Sequence, residues 1–280
     1  MRLKEQILEK VFLLSAFAAV VGVILVFIFV SIKGIPIIKS IGITKFIFGL
    51  DWAPTDKHYG ILPLIIGSFI VTFGALLIGA PMAIGTAIFL SEIAPSQIKA
   101  IVRPAVELLA GIPSVIYGFF GLIIIVPLVR MVFGGSGFGL LTGWLVLAIM
   151  ILPTIATISE DAIRAVPRSY REASYGMGAT KWQTIWRVVL PACKKGLMGA
   201  TILGMGRAIG ETMALLMVLG NAPVVPKSLT APASALTSII ALDMSYASGD
   251  HQVALFAMGI VLFLISFSFV GLIRLVSSRG

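Results

Sequence analysis

The chain has 280 residues, of which 59% are hydrophobic and only 12% charged, with a formal net charge of +9. A soluble domain is roughly half apolar and a quarter charged, so this composition excludes an ordinary soluble enzyme, a disordered chain and a disulfide scaffold. It leaves a polytopic, all-α membrane protein. The single cysteine, Cys193, allows neither an intrachain disulfide nor a cysteine-based metal site.

Charge-poor stretches able to cross about 30 Å of hydrocarbon, roughly 20 residues each, predict six transmembrane helices. They fall at 11–32, 61–90, 105–129, 140–159, 196–222 and 252–273 and make a single membrane domain. The first follows a basic start (Arg2, Lys4, Lys10) but is too long for a cleaved signal, so an uncleaved anchor is expected. With six spans, both termini share one side. The segments on that side hold fourteen Lys and Arg, and the opposite loops 33–60, 130–139 and 223–250 hold six. The positive-inside rule then places both termini and the long loop 160–196 in the cytoplasm. The four lysines of loop 33–60 fit this assignment least well. Pro81, Pro113 and Pro153 serve helix packing more readily than hinges. Glu107, near a span end, is expected either to snorkel or to pair with Arg103 at i−4.

Loop 160–196 carries a pattern of its own. Pro167 opens a short polar helix, and Gly176 and Gly178 can end it. Thr180 is a helix N-cap, and Trp182, Ile185, Trp186, Val189 and Leu190 then line one apolar face. That second helix reads as an interfacial amphipathic helix closed by Pro191. The first reads Glu172-Ala173-Ser174-Tyr175-Gly176-Met177-Gly178-Ala179, with Leu190-Pro191 further on. It resembles the EAA loop of ABC-importer permeases, with Ser174 in place of the family's usual alanine. The resemblance implies that Glu172, Ala173, Ser174 and Gly178 couple the chain to a cytoplasmic ATPase. No Gly-x-x-x-x-Gly-Lys-Ser/Thr phosphate loop occurs, so ATP and magnesium would be bound by that partner and this chain needs no cofactor.

The fifth span contains Arg207 and Glu211 at i, i+4, which places them on one helix face. A charge at mid-membrane costs about 2.5–3.5 kcal/mol on the insertion scale, so such residues mark a pathway or form a structural ion pair. Gly206-Arg207-Ala208-Ile209-Gly210-Glu211-Thr212-Met213-Ala214 is similar to a segment of phosphate-importer permeases. Gly111-Ile112-Pro113-Ser114-Val115-Ile116-Tyr117-Gly118 resembles a second segment of that family. The Met213-Ala214 continuation, Gly220-Asn221, Trp52-x-Pro54 and Tyr59 to Ile65 favour its PstC type. The resemblance implies a type I ABC-importer permease fold in a bacterial or archaeal inner membrane. Its implied partners are a PstA-like permease, a dimer of PstB-like ATPases and a phosphate-binding protein. Arg207 and Glu211 would then lie on the path of inorganic phosphate. A guanidinium offers two parallel donors to an oxyanion, and hydrogen phosphate keeps an O–H that Glu211 could accept, whereas sulfate has none. The rivals are a permease for another oxyanion, such as sulfate or molybdate, and a stand-alone channel or secondary transporter.

No enzyme site is expected. His58 and His251 lack a metal-ligand pattern, Ser114 is not in a Gly-x-Ser-x-Gly context, and the glycines of 134–139 read as a flexible turn. Nucleic acid is not an expected partner, because the positive charges decorate membrane loops.

Overall fold

The computed structural model describes residues 2–278. Arg2, Lys4, Arg274 and Arg279, four of the basic residues at the chain ends, have side chains outside those described. Helix α1 (Arg2–Ile41) is longer than the expected span. Lys33 does not stop it, and it runs on until Gly42, whose φ of 89° breaks the helical path. Its first half presents Phe12, Leu13, Phe17 and Leu25 outward, as a lipid-facing surface should. Its second half packs on α14 (Asp250–Ser278). Gly34 permits this approach, since a Cβ there would lie 2.6 Å from the Ala257 nitrogen.

The region 33–60, expected as an outer loop, is largely built into the fold. After α2 (Ile43–Phe48) comes a hairpin of β1 (Trp52–Ala53) and β2 (His58–Tyr59), in which Trp52 pairs with Tyr59. Ile37, Phe46, Trp52 and Tyr59 are buried with Leu236, Leu255 and Met258. Lys33, Lys39, Lys45 and Lys57 all remain exposed, so the charges cost no desolvation while the apolar residues between them form a core.

Helix α3 (Leu62–Ile88) ends in a π turn, Phe89–Ile93. It packs along α7 (Leu140–Arg164). Membrane helices gain little from hydrophobic exclusion between them, so close contact rests on small residues. Gly74 makes room for the Trp144 ring, whose Nε1 donates to the Ile70 carbonyl at 3.0 Å.

The expected span 105–129 is divided. Helix α4 (Ser96–Gly111) is mostly exposed and ends before Ile112, which is extended (ψ 129°) because the following Pro113 disfavours the helical region. Helix α5 (Ser114–Phe120), a π turn at Gly121–Ile125 and α6 (Val126–Phe133) make the apolar unit Ser114–Phe133. The Gly134–Gly139 turn that follows is closed by Arg130, whose Nε and Nη2 donate to the Ser136 carbonyl.

After α7 come α8 (Arg168–Gly176), α9 (Lys181–Thr184), a π turn at Ile185–Val189 and α10 (Leu190–Ala192). Helix α11 (Lys194–Ile209) leaves at 71° to the preceding Lys181–Ala192 segment. Helix α12 (Met213–Val218) follows a break at 210–212, so the range 196–222 is not one continuous helix. Part of the expected outer loop 223–250 is also interior: α13 (Leu236–Asp243) is buried on one side, and the Ser234 carbonyl lies where a Cβ on Gly67 would be. Among the described residues, five helices are long and apolar enough to cross a membrane, and the bent pair makes a sixth unit. Leu147, Met150, Ile151 and Ile155 of α7 meet Ala200 and Ala208 of α11 and Leu215 of α12 in the main core.

Candidate functional site

The break after α11 reshapes the Arg207–Glu211 relationship. Glu211 lies beyond the end of α11, so the two residues do not share one helix face as the i, i+4 spacing suggested. The Glu211 Oε1 accepts the Ala214 N–H at 3.0 Å, capping the first turn of α12. A carboxylate at a helix N-terminus meets both an orphan donor and the positive end of the dipole. The Glu211 carbonyl accepts the Thr237 hydroxyl of α13 at 2.7 Å. Backbone groups exposed by a break must find partners where water is scarce, and these two contacts supply them.

Arg207 has a different partner. Its Nη1 donates to Thr154 Oγ1 of α7 at 2.8 Å. Among the described residues no ion pair joins Arg207 to Glu211, so the structural-pair reading is not realised. Arg207 is half-buried, and its Nε and Nη2 make no hydrogen bond among the described residues. Thr154 therefore fixes one corner of the guanidinium and leaves the Nε–Nη2 edge free. That edge carries the two parallel donors that suit an oxyanion.

The fold also brings together the two segments singled out by resemblance. Gly118 of the 111–118 segment faces Ala214 of the 206–214 segment: a Cβ on Gly118 would lie 2.9 Å from Ala214 Cα. Tyr117 Oη donates to the Leu109 carbonyl at 2.7 Å and so bridges the break before Pro113. Glu107 sits nearby, paired with Arg103 at 3.1 Å in the expected i, i+4 arrangement.

Helix α8 lies at the far end of α7. Glu172 and Ala173 are exposed, as are Tyr170, Tyr175 and Met177. Ser174 is half-buried, and its Oγ lies 2.8 Å from Thr184 Oγ1. Gly178 has φ +79°, a left-handed conformation that closes the helix. Thr180 and Gln183 form a reciprocal capping box. In the next helix Ile185 and Val189 are buried against Ala87, Ile88 and Ile163, whereas Trp182 and Trp186 stand exposed with ring centroids 5.9 Å apart. Arg171, next to Glu172, turns inward to Glu92, a contact that no sequence pattern announced.

At the opposite end of the bundle, Asp243 gathers three partners. Trp52 Nε1 lies 3.2 Å and His251 Nε2 3.1 Å from Asp243 Oδ2, and Tyr246 Oη donates to Oδ1 at 2.6 Å. Acceptance of its proton by Asp243, with burial and the nearby charge, pushes the Tyr246 hydroxyl up to about 12. These residues border a cleft of about 450 Å³ that also touches Asn221 and Pro223. Asp243 is only eight positions from His251, but the third member of the cluster was hidden from sequence reading, because Trp52 and Asp243 are 191 positions apart.

A bundle of membrane-crossing helices with a charged residue held inside it, and an exposed short helix at one end, defines a multi-pass membrane transport subunit. Residues 83–279 match the family described as binding-protein-dependent transport system inner membrane component, and the chain belongs to that family. A probable ABC transporter permease protein, YqgH of Bacillus subtilis, is 47% identical over 90% of this chain and 84% of that protein. The phosphate transport system permease protein PstC of Pasteurella multocida is 42% identical over 84% of this chain and 80% of that protein. Among solved structures, a bacterial alginate ABC transporter with its pentasaccharide-bound periplasmic protein aligns with TM-score 0.65 and 16% identity, over 100% of this chain and 98% of that one. The MetNI methionine ABC transporter in an inward-facing conformation aligns with TM-score 0.54 and 25% identity, over 75% of this chain and 90% of that one.

Proposed function

We propose that this chain is the permease subunit of an ATP-driven importer of inorganic phosphate and forms half of its translocation path. The observation that carries this reading is Arg207, half-buried in the bundle, tethered by one nitrogen to Thr154 and open along its Nε–Nη2 edge. The likeness to PstC relatives supports phosphate as the anion. Glu211 is buried and spends Oε1 on the α12 cap, while Oε2 makes no hydrogen bond among the described residues. That oxygen could accept the O–H that hydrogen phosphate keeps and sulfate lacks.

In this reading α8 faces the cytoplasm, with the ends of the chain, and sits in the inner membrane complex on a PstB-like ATPase dimer. Glu172, Ala173, Ser174 and Gly178 form the surface that the ATPase engages. The apolar face of the unit Ser114–Phe133, with Ile116, Phe119 and Ile123 exposed, suits a PstA-like second permease. A phosphate-binding protein delivers substrate at the hairpin end. ATP hydrolysis belongs to the partner, and this chain supplies the path: closure of the ATPases moves α8, the bundle changes access, and phosphate passes Arg207.

The test is phosphate and sulfate uptake by vesicles containing the complete complex. Arg207→Lys keeps the charge but loses the fork, and is expected to reduce phosphate uptake strongly. Glu211→Gln is expected to narrow the preference for phosphate over sulfate. Normal uptake and selectivity in both variants would sink the reading, and sulfate or molybdate transport by the wild type would move it to another oxyanion.

A further inference from the structure

Arg171 makes more hydrogen bonds than any other side chain among the described residues, and all but the one to the Pro167 carbonyl are part-buried. Its Nη2 reaches Glu92 Oε1 at 2.5 Å and its Nε reaches the same oxygen at 3.1 Å. Its Nη1 donates to the Val166 carbonyl at 2.7 Å, and its Nη2 also donates to the Ile163 carbonyl at 3.0 Å. The side chains of Arg171 and Glu92 are 18% and 9% exposed. One guanidinium on α8 thus joins two other elements. Glu92 lies in the π turn that ends α3, Ile163 lies in the last turn of α7, and Val166 lies just beyond it.

The chemistry favours a rigid joint. The last carbonyls of a helix have no intrahelical partner and carry the negative end of its dipole, so a half-buried guanidinium there satisfies and neutralises them together. The planar fork fixes direction as well as distance, which a lysine at the same place could not do. Helix α8 has no fully buried residue. Beside Arg171, its Ser174 contact with Thr184 is the other side-chain hydrogen bond described from this helix to another.

We propose that Arg171 and Glu92 form a clasp that binds α8, α7 and the end of α3 into one rigid body, so that α7 carries any displacement of α8 to Thr154 and hence to Arg207. Thr154 and Ile163 lie on the same unbroken helix, nine residues or roughly 14 Å apart at 1.5 Å per residue. Arg171 and Glu92 are positioning residues in this scheme and touch no substrate. The inference rests on the importer reading for its setting, and adds the route by which ATPase movement reaches the arginine.

Two measurements test it. Spin labels at Ser169→Cys on α8 and Leu77→Cys on α3, in a Cys193→Ser background, report the separation of the two elements through the ATP cycle of the assembled complex. The clasp requires one unchanged distance in the wild type, and a nucleotide-dependent distance once Glu92→Gln is added. A wild-type distance that shifts with nucleotide overturns the proposal, and so does an unchanged distance in Glu92→Gln. The second measurement is phosphate moved per ATP hydrolysed. Glu92→Gln and Arg171→Lys are expected to lower this ratio at least about tenfold, the lower end of the range for losing one charge-assisted hydrogen bond, while the ATPase still copurifies. The exchange Glu92→Arg with Arg171→Glu should recover part of it. A wild-type ratio in both single variants overturns the clasp. A wild-type complex that hydrolyses ATP but carries no phosphate would fail the importer reading alone, because the label distance reports motion whatever the solute.

Discussion

Thr154 on α7 and Arg207 on α11 are joined by a 2.8 Å hydrogen bond, although 53 residues separate them in the chain. The contact orients a cation inside the bundle without neutralising it. A carboxylate in the place of Thr154 would pair with the arginine and compete with an incoming anion. A hydroxyl holds the guanidinium and leaves its charge available. Hydrogen bonds to charged groups contribute about 1.5–3 kcal/mol. Thr154→Val is therefore expected to raise the phosphate concentration for half-maximal uptake by about ten- to a hundredfold, and Thr154→Ser to leave it near the wild-type value. Initial rates of uptake by vesicles containing the complete complex, over a range of phosphate concentrations, check this.

Gly118 sets the distance between α5 and α12. A Cβ there would lie 2.8 Å from Met217 Sδ and 2.9 Å from Ala214 Cα, and only the methionine could move aside. Gly118→Ala should thus push the two segments apart and cost about 1–3 kcal/mol, as overpacking usually does. The melting temperature in detergent should fall, with Gly176→Ala, which has open space around it, as the control at an exposed site.

Ser174 and Thr184 offer a cleaner pairwise test. Their hydroxyls are 2.8 Å apart, and Thr184 is almost fully buried. Removing one partner leaves the other hydroxyl unsatisfied, which costs about 1–3 kcal/mol, whereas removing both is close to neutral. Ser174→Ala should destabilise the protein, and adding Thr184→Val should restore most of the loss. Chemical denaturation of all four members of the cycle measures the coupling.

Asp243 makes a prediction at high pH. The Tyr246 hydroxyl is pushed up to about 12, above its ordinary 10.0, because Asp243 accepts its proton. A raised value in the folded state means that the native protein holds this proton more tightly than the unfolded chain. The stabilisation is complete below pH 10.0 and is lost as the pH climbs toward about 12. Ultraviolet difference titration of the wild type against Tyr246→Phe should place this tyrosine near the upper value. In Asp243→Asn it should ionise at lower pH.

Much of the architecture was legible because lipid imposes a length and an apolar content on each helix, and both can be read along the chain. The limits of that reading have physical causes. The break at 210–212 depends on Glu211 turning back to cap α12 and on Thr237 arriving from α13, and neither contact has a local signature. The apolar content of 33–60 looked like a loop because four lysines interrupt it, yet they all sit on its exposed side. Arg207 stood out because a charge in an apolar run is costly anywhere. Thr154, its partner, did not, since a threonine in such a run carries no warning. Arg171 and Glu92 were hidden for the opposite reason: in polar segments one more charge is unremarkable until the fold shows it paired and half-buried. Glu172, Ala173 and Gly178 lie on an exposed short helix and its closing turn.

The close approach of Gly34 to Ala257 has a consequence for how the protein is made. Among the described residues the first helix finds its main packing partner in α14, and everything between them must be synthesised and inserted beforehand. At about 5–20 residues per second, α1 waits on the order of ten to forty seconds in the membrane before α14 emerges. During that time the notch at Gly34 is open to other helices. A bulkier residue there would therefore penalise a late step of biogenesis, and its first sign would be degradation of full-length chains rather than a defect in those that survive.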